Sequence, residues 1–283
     1  MAEYPHGIDV SNNQGSIDWA RVAASGQAFA FIKATEGTGF RDGYFPKNWQ
    51  GARANGIIRG AYCFGRPDLV QPETEAQAFW AAAEAQGVEA GDMLALDLED
   101  YSGSLVRSLN PVAEYAYRWL LRVEQLAGYK PLIYTSAGVC QQYNLGSLAV
   151  LADYGLWLAS WGVETPPPAP RPWHIVAFHQ YGVAPAGSVP GISGDIDVNR
   201  FNGTADRIAL YGKPGAQPQA VTGFSVGEGL RAAMAERGDQ PASDEVFMKH
   251  EGRDSWSEAF GVSGARYVWV PTLGRAVRFD PAA

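Results

Sequence analysis

The sequence predicts an α/β chain: an irregular eight-stranded β/α barrel with few helices, followed by a small C-terminal α+β module. Three observations carry this. Eight short apolar, β-rich runs occupy the first 201 residues. Helix-like segments fit between the early runs, as in a largely parallel sheet covered on both faces. The later runs lack long helical connections, and a Pro-rich stretch, E-T-P-P-P-A-P-R-P, joins the sixth to the seventh.

The strand candidates are residues 7–11, 28–33, 57–64, 93–99, 131–135, 155–161, 174–181 and 195–201. Eight strands favour closure of the sheet. Helices are expected at 17–25 with Ser16 as cap, then at 44–55, 72–86 and 111–128; Gly87 is a natural stop for the third. Near Tyr211 the chain turns to G-K-P-G-A-Q-P-Q-A-V-T-G, which has linker composition. The expected organisation is a barrel over 1–212, a linker over 213–223 and a small module over 224–283. In the module, Ser225 and Glu228 have capping-box spacing. R-Y-V-W-V and R-A-V-R-F read as two strands around a P-T-L-G turn.

Bulk properties narrow the function. The 283 residues are 46% hydrophobic, enough for a large core without disulfides or metals. A net charge of −8 argues against a nucleic-acid partner and against simple electrostatic attachment to an anionic wall or membrane. No apolar stretch of about 18 residues exists for membrane insertion, and M-A-E-Y-P-H opens no secretory signal. Cys63 and Cys140 sit in apolar surroundings and are expected as buried free thiols. No Cys/His cluster has metal-ligand spacing, so no metal is expected. Aromatics reach 12%, with 9 Trp and 13 Tyr; they fill a core or stack on flat ligand faces such as sugar rings.

The sharpest local signal is L-A-L-D-L-E-D. Residues two apart on a strand share a face, so Asp97 and Glu99 point together, opposite Leu96 and Leu98. Two neighbouring carboxylates repel, which raises the pKa of one. A carboxylic acid kept protonated can donate to a leaving oxygen, and glycoside cleavage needs such an acid beside a second carboxylate. The same D-x-E spacing also serves a divalent cation or a solvated strand end. Further polar groups favour chemistry, because barrel function collects at the C-terminal strand ends. Asp9 ends the first strand, Lys33 and Glu36 follow the second, Gln180 and Tyr181 end the seventh, and Asp195 and Asp197 lie in the eighth. Asp197, deeper in its run, is favoured over Asp195. Lys33 is either an ion-pair partner of these acids or a strand-end lysine laid along apolar surface.

With G-I-D-V-S-N-N-Q-G-S-I-D-W, F-I-K-A-T-E-G, G-A-Y-C-F, L-D-L-E, P-L-I-Y-T, L-W-L-A-S-W, H-Q-Y and G-D-I-D-V-N-R-F in order over about residues 4 to 210, the chain resembles glycoside hydrolase family 25. These are the Chalaropsis-type lysozymes, common as phage endolysins and bacterial autolysins. The resemblance implies the irregular barrel, no cofactor, and cleavage of the β-1,4 bond between N-acetylmuramic acid and N-acetylglucosamine of bacterial peptidoglycan. It places Glu99 on the proton donor, Asp97 on its charged partner, and Asp9 and Asp197 on two further acids. Tyr62, Tyr134, Trp157 and Gln180, with Lys33, fall at substrate-binding positions. Trp161 stands where the family often has Tyr. Synthesis in a host cytoplasm and release by a holin-type partner are the matching expectations. A non-catalytic glycan binder and a hydrolase of another glycan such as chitin are the rivals. The resemblance stops at the linker. The tail from Pro214 carries 7 Lys+Arg against 9 Asp+Glu, so wall binding there would rest on aromatics such as Tyr267 and Trp269. The alternative is a structural appendage.

Overall fold

The computed structural model describes residues 4–163 and 165–214, together with four strands between residues 247 and 279. The chain divides into two compact units, Met1–Gln219 and Ala220–Ala283.

In the first unit the strands are β1 (His6–Val10), β2 (Phe29–Glu36), β3 (Phe40–Arg41), β4 (Ile58–Phe64), β5 (Met93–Asp97), β6 (Leu132–Ser136), β7 (Gly155–Ala159), β8 (Phe178–Ala184) and β9 (Ile196–Phe201). They form one sheet in the order β1-β9-β8-β7-β6-β5-β4-β2-β3, and pairing of β1 with β2 closes it into a barrel of eight strands with β3 as an appendage. All barrel pairings are parallel except those of β9, which runs antiparallel to both neighbours. The helices are α1 (Trp19–Ala24), α2 (Phe45–Ala54), α3 (Pro72–Glu84), α4 (Val112–Ala127), α5 (Ala137–Gln142) and α6 (Ala205–Ile208).

Alternation along the strands builds two cores. On β5, Met93 and Ala95 point into the barrel beside Phe29, Phe31, Leu132, Phe178 and Phe201, while Leu94 and Leu96 join the outer layer with Ile8, Ile32, Ile133 and Leu156. Helices cover that outer layer; α4 buries Tyr115, Trp119 and Val123 and ends at Gly128, whose φ of 79° only glycine adopts readily. Inside, Phe31 stacks on Trp157 with centroids 4.0 Å apart. Gly60 faces the Phe31 ring, where any Cβ would collide.

Several expected details differ. Asp18, not Ser16, caps α1, accepting from the Arg21 amide; Ser16 Oγ instead accepts from Lys47 Nζ. β8 begins at Phe178, four residues later than expected, because the chain enters the ladder only opposite Trp157. An irregularity between Gln180 and Gly182 then lets it run on to Ala184 beside β9. The short helix α5 was not anticipated; Ser136 caps it by accepting from the Val139 amide. Cys63 and Cys140 are free and buried, as expected.

In the second unit, β10 (Phe247–Glu251), β11 (Asp254–Phe260), β12 (Arg266–Val270) and β13 (Arg275–Phe279) form an antiparallel sheet in sequence order. β12 and β13 are the two expected strands; β10 and β11 add to them. The Ser225–Glu228 capping box lies outside the described residues.

Candidate active site

The strand period carries Asp97 onto the inner face of β5, above Ala95 and Met93, and closure brings the other strands' rim residues around it. A cavity of about 210 Å³ opens there. Asp9, Asp97, Glu99 and Asp197 all line it, as do Lys33, Tyr62, Tyr134, Trp157 and Gln180. Of the rim candidates, Glu36 and Tyr181 stay outside the lining, and the nine predicted site residues reach one place. Asp195 does not: its carboxylate accepts from the Ala186 amide at the surface. The direction of β9 explains this choice. Because β9 is antiparallel, its beginning is at the rim, and Asp197 sits there directly opposite Asp9 of β1.

The acids form two close sets. Asp9 and Asp197 stand directly opposite each other across the β1–β9 pair. Burial, with repulsion from Asp197 added, pushes Asp9 up to about 8. Burial also raises Asp197. On β5, burial and then repulsion from Glu99 raise Asp97 well above the usual carboxylate range. Glu99, partly exposed just beyond the strand, is raised by burial and by the Asp197 charge, with Lys33 opposing. Desolvation, not repulsion between strand-mates, is thus the leading cause. Asp97 Oδ1 is buried with no hydrogen-bond partner.

Lys33 is the cation lining the cavity, but its ion pair is with Glu36, at 2.9 Å, and not with the four acids. Glu36 in turn accepts from Arg66 at 3.1 Å. Burial raises Glu36, yet Lys33 and Arg66 outweigh it and hold the carboxyl below its ordinary value. The ammonium lies 4.8 Å from the Phe64 ring centroid.

Sequence reasoning missed Asn199, Phe64 and the β1 loop residues Ser11, Asn13 and Gln14. All but Asn199 line the cavity directly, and Asn199 is fully buried against Asp9. The period-two rule could have found Asn199, two residues beyond Asp197. Ser11 and Gln14 form a reciprocal capping box on residues 12–14, a S-x-x-Q signal legible in the sequence. Among the described residues no cluster of His, Cys, Asp or Glu is arranged to hold a metal ion.

Residues 8–192 match the family described as Glycosyl hydrolases family 25. Lysozyme M1 of Streptomyces globisporus is 36% identical over 212 residues, covering 71% of this chain and 69% of that protein. YegX of Escherichia coli O157:H7, named as uncharacterized, is 36% identical over 212 residues, 73% of this chain and 72% of its own. Among solved structures, the bacterial lysozyme from Streptomyces coelicolor is similar with a TM-score of 0.68 and 34% identity, over 75% of this chain and 98% of that one. With the acid-lined barrel mouth and a match over most of the barrel, the chain belongs to family 25 of the glycosyl hydrolases.

Proposed function

We propose that the protein is a peptidoglycan hydrolase, an N-acetylmuramidase that cuts the β-1,4 bond between N-acetylmuramic acid and N-acetylglucosamine. The observation that carries this reading is the gathering of Asp9, Asp97, Glu99 and Asp197 in one cavity on a chain similar to lysozymes. Glu99 is the general acid. It is the most exposed member of the Asp97–Glu99 pair and is held above its ordinary pKa, so it can keep a proton for the leaving oxygen. Asp97 is the partner carboxylate. Its buried, unpartnered Oδ1 suits an N–H donor arriving with the substrate, such as that of a 2-acetamido group. That donor favours the charged form of Asp97, and the proton held by the coupled pair then resides on Glu99. The oriented acetamido oxygen attacks the anomeric carbon, and water later opens the ring intermediate with retention.

Tyr62, Tyr134, Trp157, Gln180 and Lys33 are the sugar-contacting residues in this reading, and residues 224–283 an accessory wall-binding module. Delivery by a holin-type partner belongs to it as well; lysis on co-expression with a membrane-permeabilising protein, and none without it, is the expected result. The activity test is digestion of purified walls with reducing-end analysis. New ends on muramic acid are expected. Ends on glucosamine only, or cleavage of chitin in preference to walls, would overturn the reading. The route is tested on matched substrates carrying an acetamido or a hydroxyl group at carbon 2. The hydroxyl analogue should be barely cleaved, and a trapped glycosyl adduct on Asp97 would replace the assisted route with a covalent one.

A further inference from the structure

Asp9 is held unlike the other acids. Its Oδ2 accepts from two carboxamides, Asn199 Nδ2 at 2.6 Å and Gln180 Nε2 at 3.0 Å. A carboxamide turned end for end offers an oxygen where it had offered N–H. Both amides here are denied that freedom. Trp157 Nε1 donates to Asn199 Oδ1 at 2.7 Å, and Trp161 Nε1 donates to Gln180 Oε1 at 2.9 Å. An indole N–H donates and cannot accept, so each amide oxygen is claimed and each NH₂ must face Asp9. The Tyr134 hydroxyl also reaches Gln180 Oε1, at 3.0 Å. A hydroxyl can donate or accept, so Tyr134 would tolerate a flipped amide and the indole would not.

We propose that Asn199 and Trp161 are positioning residues which, with Trp157, form an indole-locked pair of carboxamides that keeps Asp9 Oδ2 a pure acceptor. Both lone pairs of that oxygen are then filled. A proton on Asp9 is then confined to Oδ1, and the two donors on Oδ2 favour the charged form of Asp9 against its burial. Negative charge on the Asp9–Asp197 pair, felt by Glu99 through Asp197, helps hold Glu99 protonated, so the lock governs the acid without touching the substrate bond. Trp161 is 59% exposed and joins this buried network to the barrel mouth. The groups facing Asp9 from the packed strands are Lys33 of β2, Tyr62 of β4, Asp97 and Glu99 at β5, Tyr134 of β6 and Asp197 of β9. Of these, Asp197 stands directly opposite Asp9 in the strand register.

The inference rests on the glycan-hydrolase reading for its role but has a test of its own. Trp161→Phe keeps a ring at an exposed site and removes only the donor; Asn199→Leu removes a donor to Asp9 directly. Fewer donors on Asp9 raise the pKa of the pair, so it holds less negative charge and Glu99 loses its proton at lower pH. The kcat/KM profile on wall fragments should therefore narrow, the acid limb rising and the basic limb falling by about half a unit or more each. kcat should fall several-fold with KM within about twofold. Asn199 is fully buried, and if its variant does not fold, Trp161→Phe decides. Independently of any substrate, the indole ¹H–¹⁵N resonances of Trp157 and Trp161 should shift at one common pH midpoint, and Asp9→Asn should abolish that step in both. A Trp161→Phe profile that overlays the wild type, or indoles without a common step, overturns the lock. An inactive wild type would overturn the enzymatic reading only, and the indole titration would still decide the lock.

Discussion

At the floor of the barrel, a buried acid is paired with a cation; at the rim, four acids line one cavity whose lysine is paired elsewhere. Asp92, just before β5, accepts from Arg59 Nε at 2.9 Å and from the Glu89 amide at 2.8 Å. Arg59 itself is flat against Trp49, 4.1 Å from the ring centroid. Burial still leaves Asp92 above the ordinary carboxylate range, with Arg59 pulling it down. Five residues on, at the far end of β5, Asp97 has no protein partner for its buried Oδ1, and the nearby cation Lys33 is committed to Glu36. A buried charge is tolerable when paired and costly when not. The floor therefore serves stability. The rim holds acids without a committed counter-charge, whose protonation a substrate can change.

The largest effect that would break this contrast is at the acid itself. Glu99→Gln should leave the melting curve near that of the wild type and cut wall hydrolysis by roughly 10²–10⁴-fold, as for loss of a general acid. Near-normal clearing of walls by the folded variant would remove Glu99 from that role. At the floor the order inverts. Asp92→Asn leaves Arg59 buried without its counter-charge and should cost about 3–5 kcal/mol of stability. Activity per folded molecule should remain, because Asp92 does not line the cavity. Urea denaturation paired with turnover measured at low temperature checks both halves.

A subtler effect concerns pH. The folded pKa of Asp9 lies at about 8, above its ordinary 3.8, so the folded state binds more protons than the unfolded one between these values. The contribution of Asp9 is then fully present below about pH 3.8 and is lost as pH rises through about 8. Asp9→Asn mimics the protonated form: its oxygen can accept from Gln180 and Asn199, and its NH₂ can donate to Asp197. It should abolish activity, leave stability near pH 4 unchanged and raise it near pH 8 by on the order of 1–3 kcal/mol. Equal melting-point changes at the two pH values would contradict the linkage. The smallest effect is expected beyond the floor. Gly212 O accepts from the Gly91 amide, and Tyr211 packs on Phe178 and Phe201. A chain ending after Pro214 should thus melt within a few degrees of the full chain and still cut soluble muropeptides. Aggregation of the shortened chain, or loss of that activity, would make the tail part of the barrel's own fold.

Much of this was legible beforehand. An apolar run ending in D-L-E forces Asp97 to the face opposite Leu96, whatever surrounds it, because side-chain direction alternates along a strand. Asp9, Lys33 and Gln180 could be read as polar groups at their own strand ends, whereas Tyr62, Tyr134 and Trp157 came only from the family resemblance. Local sequence also fixed the stop of α4 at Gly128 and the β12–β13 pair. It could not give the direction of β9. That strand reads the same in either sense, and only closure of the barrel between β8 and β1 set it antiparallel and put Asp197 opposite Asp9. Nor could it show that two indoles from β7 and its edge would claim the oxygens of two amides on β8 and β9. Strand period decides which face a residue takes, a property of a few neighbouring residues. Which residues meet across that face depends on burying the whole interior at once, and on meeting the hydrogen-bond demands of groups distant in sequence.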